Sequence, residues 1–250
     1  MNDGDLTRRS FVKQSALAAA GTLPLIPPRA ESGAAPLKVV CVGAHPDDPE
    51  SGCGGSLARY AALGHAVTIV YLTRGERGIE GKSLDEAARI RTAECEAACR
   101  IIGAKLVFFG QIDGATEVTR AQVVAMQRLL ATQTPDVLFT HWPVDTHMDH
   151  QVASMLTIRG WMGLRTPLLY FFEVDTGSQT QGFLPNTYVD VSPVLEQKKR
   201  ALFAHVSQDG QGIWREHHEI MAQWRGREAG VTAAEAFVHL DRDPTTLPRL

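Results

Sequence analysis

Leu37-Lys38-Val39-Val40-Cys41-Val42-Gly43-Ala44-His45-Pro46-Asp47-Asp48-Pro49-Glu50 is the stretch on which the fold turns. Its first seven residues are small or β-branched apart from Leu37 and Lys38, the pattern of a strand buried on both faces. Its second half sets one imidazole and three carboxylates within six residues, His45 to Glu50. Behind it come Ser51-Gly52-Cys53-Gly54-Gly55-Ser56 and then Leu57-Ala58-Arg59-Tyr60-Ala61-Ala62-Leu63-Gly64, a helix closed by glycine. The loop therefore sits at the carboxyl end of a first strand, where open α/β sheets place their ligands. A turn of this kind needs one aspartate to cap and bend it. Three acids beside a histidine point to chemistry.

Outward from this unit, strand and helix patterns alternate. Strands are expected over 66–72, 105–109 and 135–140, and helices over 84–102, ended by Gly103, and over 119–133. The alternation predicts an α/β, Rossmann-like, mostly parallel sheet flanked by helices, with the active site at the carboxyl ends of the strands. A dinucleotide site is excluded. Gly52-Cys53-Gly54-Gly55 lacks the GxGxxG spacing, and the acids ahead of it would repel a pyrophosphate. Further strands are expected over 168–172 and 187–191, followed by a helix with Ser192 capping and Pro193 at its first position, running to about residue 208. No element is assigned to Ala234-Glu235-Ala236-Phe237 or to the surroundings of Trp214 and Trp224.

The fourth strand leads into His141-Trp142-Pro143-Val144-Asp145-Thr146-His147-Met148-Asp149-His150, three of the nine histidines and two aspartates in one loop. Two loops leaving the same sheet edge converge, and their imidazoles and carboxylates suit zinc. His45, Asp48 and His150 can supply the three protein ligands of a catalytic site. A metal-bound water still needs a base, and Asp47 adjoins a ligand in a stiff turn. An oxyanion formed by attack on an amide or ester needs a donor opposite. His147 is that candidate, with Asp149 placed to hold its imidazole protonated and oriented.

Other polar residues have plainer readings. Glu50 is expected to serve the loop or a helix start. His141 and Asp145 stand open between supporting a ligand and shaping a turn. His205 reads as a helix-end residue with a substrate role open, and His217 and His218 as surface or packing residues. Cys41, Cys53, Cys95 and Cys99 form no disulfide framework and no CxxC pair. Cys53 is the one nearest the motif.

The N-terminus is read separately. Thr7-Arg8-Arg9-Ser10-Phe11-Val12-Lys13, followed by an alanine-rich apolar run, resembles a twin-arginine export signal and is too short to span a membrane. Residues 1–35 are accordingly expected to be signal and linker, and residues 36–250 one domain, found in the periplasm or outside the cell. Setting residues 1–30 aside removes four basic and two acidic side chains, taking the formal charge from −3 to −5. A mildly acidic surface offers no footprint for nucleic acid. No other segment approaches membrane-spanning length.

Four stretches resemble the zinc-dependent N-acetylglucosaminyl deacetylases of the LmbE-like, or PIG-L, family. Residues 44–50 follow its AHPDDxE, 73–76 (Thr73-Arg74-Gly75-Glu76) its TxGE, 91–94 (Arg91-Thr92-Ala93-Glu94) its RxxE, and 147–150 (His147-Met148-Asp149-His150) its HxDH. Val189-Asp190-Val191-Ser192 and Ala204-His205-Val206-Ser207-Gln208 also look familial, so the resemblance spans about residues 37–240. It implies zinc on His45, Asp48 and His150, Asp47 as general base, and His147 as oxyanion stabiliser and leaving-group acid tuned by Asp149. It implies that Arg91 contacts the sugar or its aglycone. Arg74 and Glu76 would line the pocket or pair with each other. The expected activity is removal of acetyl from an N-acetylated, GlcNAc-type amino sugar. Hydrolysis of another acyl bond, ester or N-acyl glycoconjugate, is the alternative, and zinc-containing carbohydrate binding without turnover a further one. Passage through the twin-arginine machinery would favour cell-wall fragments, chitin oligomers or extracellular glycoconjugates over cytosolic precursors.

Overall fold

Strands β1 (Lys38–Gly43), β2 (Ala66–Tyr71), β3 (Lys105–Phe108), β4 (Val137–His141) and β5 (Leu168–Phe172) form the parallel part of a seven-stranded sheet. The computed structural model describes residues 35–164 and 167–240. The expected export signal lies outside the described residues. Helices α1 (Asp48–Ala62), α2 (Leu84–Ile102), α3 (Arg120–Gln133), α4 (Met148–Trp161), α5 (Leu195–Phe203), α6 (Gly210–Ile213) and α7 (Glu219–Ala229) accompany the sheet. Strands β6 (Thr187–Asp190) and β7 (Ala234–Leu240) complete it, in the order β3-β2-β1-β4-β5-β7-β6. β7 runs antiparallel to both its neighbours. The mostly parallel, helix-flanked sheet is the fold expected.

The order reverses between β1 and β4, and a crevice opens there at the carboxyl ends of both strands. Each strand feeds one face alternately. Val39 and Cys41 pack with Leu57, Ile69 and Ile102 on the α1/α2 side, whereas Val40 and Val42 pack with Leu138, Met126 and Leu156 on the α3/α4 side. All are fully buried or nearly so, which is why β1 carries no polar residue after Lys38.

Four elements depart from the expected layout. α1 begins at Asp48, so the glycine-rich stretch before Leu57 is helical. Gly52 and Gly55 let that turn press on Phe172 and Val191, where any Cβ would collide, and tertiary packing overrides their poor helix propensity. α4 starts inside the second motif, which reads locally as a loop. β7, to which the sequence pattern assigns no element, sets a buried glutamate between two alanines at its start and buries Phe237 beyond them. Ser192 does not cap α5, since its hydroxyl and the Ala233 backbone bond to each other across the sheet. By contrast Ser83 caps α2 through the Glu86 N–H, and Gly103 ends it in the left-handed region at φ 87°. Among the described residues no helix is long and apolar enough to cross a membrane.

Candidate active site

The first motif turns tightly. His45 N–H donates to Asp48 Oδ2 at 2.7 Å, and Asp48 N–H reaches back to the His45 carbonyl at 3.3 Å. Between them Asp47 adopts φ 103°, a conformation a side chain rarely accepts. Beside it, at the end of β4, His141 Nε2 accepts the Ala44 N–H at 2.9 Å and ties the two strand ends together. The second motif enters α4 with His147 as N-cap, its Nδ1 accepting the Asp149 N–H at 3.2 Å. Asp145 accepts the His147 N–H at 2.8 Å and lies 3.2 Å from His150 Nδ1.

Asp48 is the centre of the resulting cluster. One oxygen lies 3.2 Å from His45 Nδ1 and 3.4 Å from His141 Nε2, and the other 3.3 Å from His150 Nε2. The far side of His45 faces two more acids, its Nε2 standing 3.0 Å from Asp149 and 3.3 Å from Asp113. Among the described residues, three overlapping groups could hold a metal ion: His45, His147 and His150; Asp48, His141 and His150; and His45, Asp113 and Asp149. The expected trio of His45, Asp48 and His150 meets through Asp48, with members drawn from each group.

The electrostatics suit a cation. Burial opposes a charge on His45, but hydrogen bonds to Asp113, Asp149 and Asp48 prevail and raise its pKa. His150 is likewise disfavoured by burial, yet Asp48 and Asp145 lift it to about 9. His141 goes the other way, to about 4, through burial and the neighbouring His150. Burial would raise Asp48, but the His150 and His141 imidazoles hold it well below the usual carboxylate range. A field that pulls protons onto buried imidazoles also attracts a divalent ion, and an imidazole–carboxylate donor set fits one.

The remaining predicted residues fall into two sets. Asp47 turns to Arg91, Oδ2 to Nη2 3.0 Å, and lines the same cleft as His45, Asp48, His147 and His150. Burial raises its pKa and Arg91 opposes that rise. Arg91 is itself buried, its Nη2 donating to the Pro46 carbonyl as well. The guanidinium thus holds the Asp47 turn, and Arg91 also lines the cleft. Arg74 and Glu76 do not line the cleft and make no side-chain pair. The Arg74 guanidinium lies 5.0 Å from the Phe108 ring, and Glu76 is buried accepting the N–H groups of Arg74 and Asp113.

Asp149 also departs from expectation. Its carboxylate accepts from Thr116 Oγ1 at 2.6 Å and Gly114 N–H at 2.8 Å and faces His45, so it supports a ligand candidate rather than gripping His147. His147 stacks on His150, ring centres 4.7 Å apart, and its pKa is lowered by burial and by His45 and His150. With Nδ1 accepting, the neutral ring carries its proton on Nε2. His205 follows the end of α5, as expected, but not as a surface residue. It is fully buried, 3.4 Å from Glu50, which also takes the Tyr71 hydroxyl. His217, 3.1 Å from Asp175, and buried His218 both line the cleft. Asp113, Gly114 and Thr116 were not anticipated. They leave the carboxyl end of β3, and the sheet-edge rule applied to that strand would have found them.

The cleft, about 540 Å³, is of a size usual for small ligands. Fold and cluster together define an α/β protein with a candidate metal-dependent active site at its switch point. The family model described as PIG-L, GlcNAc-PI de-N-acetylase, matches residues 40–160, and the chain belongs to the PIG-L family. It is 29% identical over 221 residues to diacetylchitobiose deacetylase of Thermococcus kodakarensis, covering 80% of this chain and 82% of that protein. It is 24% identical to the 4-oxalmesaconate hydratase of Pseudomonas putida, covering 84% and 89%. The crystal structure of conserved protein TT1542 from Thermus thermophilus superposes with TM-score 0.72 at 30% identity, covering 86% of this chain and 96% of that one.

Proposed function

We propose that this protein is a zinc-dependent deacetylase that hydrolyses the acetamide of a GlcNAc-type amino sugar. The observation that carries the reading is the division within one turn: Asp48 faces the imidazoles while adjacent Asp47 faces Arg91 and the cleft. Elimination supports His45, Asp48 and His150 as ligands. His141 Nε2 is occupied by the Ala44 N–H, and Asp149 is taken by Thr116 and Gly114. Asp149 and Asp113 would hold the His45 Nε2–H and leave Nδ1 for the ion, the usual carboxylate support of a liganding histidine. A zinc ion held there would lower the pKa of its water and polarise the amide carbonyl. Asp47 takes the proton of the attacking water and passes it to the departing amine. His147 Nε2–H donates to the developing oxyanion. Export through the twin-arginine pathway, on the resemblance of residues 7–26, would place the activity outside the cytoplasm.

Release of free amine from a panel of N-acetyl sugars, chitin oligomers and cell-wall fragments by the zinc-loaded protein is the test. Release that stops with chelation and returns with zinc is expected. No release from any member, with 4-oxalmesaconate-type hydration or ester cleavage found instead, would overturn the reading.

A further inference from the structure

Arg91-Thr92-Ala93-Glu94 and Ala204-His205-Val206-Ser207-Gln208 lie 110 residues apart in sequence, and neither is absorbed by the chemistry above. In the fold they close one ring around the Asp47 turn. Arg91 and Glu94 share a face of α2, one turn apart. Arg91 Nη2 donates to the Pro46 carbonyl and to Asp47 Oδ2, bracketing the residue with φ 103°. Glu94 receives both the N–H and the hydroxyl of Ser207, each at 2.7 Å. Gln208 Nε2 then donates to the Gly78 carbonyl at 2.9 Å and to Ser207 Oγ at 3.2 Å. Gly78 and Gly75 form the slot that holds the Arg91 guanidinium. A Cβ at either would overlap it, and Gly75 also needs its φ of +67°.

We infer that Glu94, Ser207 and Gln208 are positioning residues for Asp47, acting through the Gly75–Gly78 slot and Arg91, and that Arg91 serves the base rather than the sugar. The physical reason is strain. A non-glycine residue at positive φ is strained and persists only where its surroundings over-determine it. Two hydrogen bonds from a buried guanidinium provide that, provided the guanidinium is itself immobile. Its slot is built from a loop with three glycines, Gly75, Gly78 and Gly81, whose backbone no side chain of their own restrains, so the slot needs an outside anchor. Gln208 on Gly78 and Glu94 on Ser207 are that anchor, and they connect α2 to the turn after α5. His205 adds a buried contact to Glu50, three residues beyond Asp47.

This inference rests on the assignment of Asp47 as base, so wild-type amine release is measured first; its absence would strike that assignment and not the ring. Given turnover, Glu94→Gln, Ser207→Ala and the double variant are compared for kcat, KM, zinc content and melting temperature. Each single change is expected to lower kcat about tenfold to a hundredfold, as small misplacements of a reacting group do, with KM and zinc content unchanged. The double variant should be no worse than the poorer single one. Arg91→Lys should lower kcat at constant KM, and added guanidinium should partly restore Arg91→Ala. Unchanged kcat with a lower melting temperature would reduce the ring to a structural staple and overturn the inference. A rise in KM at constant kcat for Arg91→Lys would return Arg91 to the substrate and do the same.

Discussion

Two buried charged regions flank α1, and they are built on opposite terms. At its far side Lys198 Nζ lies 2.6 Å from Glu235 Oε1. The same glutamate accepts the Gly55 and Ser56 N–H groups and the Ser56 hydroxyl, while Lys198 also donates to the Ser51 carbonyl. Charge and hydrogen bonding are both satisfied, and the pair staples β7 and α5 to the helix. At the near side the cluster around Asp48 is unbalanced. Two acids share His45 Nε2, and neighbouring His141 and His150 are driven to about 4 and about 9. A closed set of partners fixes structure, whereas opposed pKa values beside a cleft mark groups arranged for something that arrives.

The sharpest way to break this contrast is to neutralise each side in turn. Asp48→Asn and His150→Ala should lose bound zinc and essentially all amine release, read by elemental analysis after dialysis and by turnover. Asp47→Ala should keep its zinc and lose turnover by about 10²–10⁴-fold, the usual contribution of a general base. Full zinc and full activity in Asp48→Asn would erase the distinction. The opposite region should respond in stability. Glu235→Gln strands a buried ammonium and is expected to cost about 3–5 kcal/mol in urea unfolding. Replacing both partners with apolar residues of similar volume, Lys198→Met with Glu235→Leu, should recover most of that loss. An unchanged denaturation midpoint in Glu235→Gln would show that the pair is not the staple its geometry describes.

How much of this could be read from the chain follows the same division. The strand-and-helix alternation and the paired motifs, with His45, Asp48 and His150, are local patterns, and local patterns survive in sequence. β7 is hard to read because it starts with two small alanines around Glu235, which looks like a surface residue until Lys198 is beside it, and only Phe237 is a large buried side chain. α4 was hidden because a motif dense in His and Asp masks the helix that begins within it. Asp113 follows from the sheet-edge rule once that rule is applied to β3, whereas the Glu94–Ser207 contact is a partnership between distant segments, which no spacing rule reaches. Arg91 is legible as a functional residue from its motif, but its pairing with Asp47 joins two distant segments and leaves no mark in the spacing of either.

His218 lies between the two regions and can report on both. It is buried, lines the cleft, and is held to about 3 first by burial and then by Lys198 and His217, with Asp48 opposing. The unfolded chain would titrate it near 6.5. A histidine depressed in the folded state contributes its full stability above 6.5 and loses it as pH falls toward 3, because only the unfolded chain takes up the proton. The wild-type protein should therefore lose about 1.4 kcal/mol per pH unit across that window relative to His218→Gln, whose side chain binds no proton there. Urea unfolding of the two proteins at intervals from pH 7 to pH 4 measures the difference. Lys198→Met should shrink it, since removing the ammonium lets the His218 pKa climb and narrows the window from below. A gap between wild type and His218→Gln that is flat with pH would mean that His218 is charged in the folded protein, and that the field of the closed ion pair does not reach the cleft.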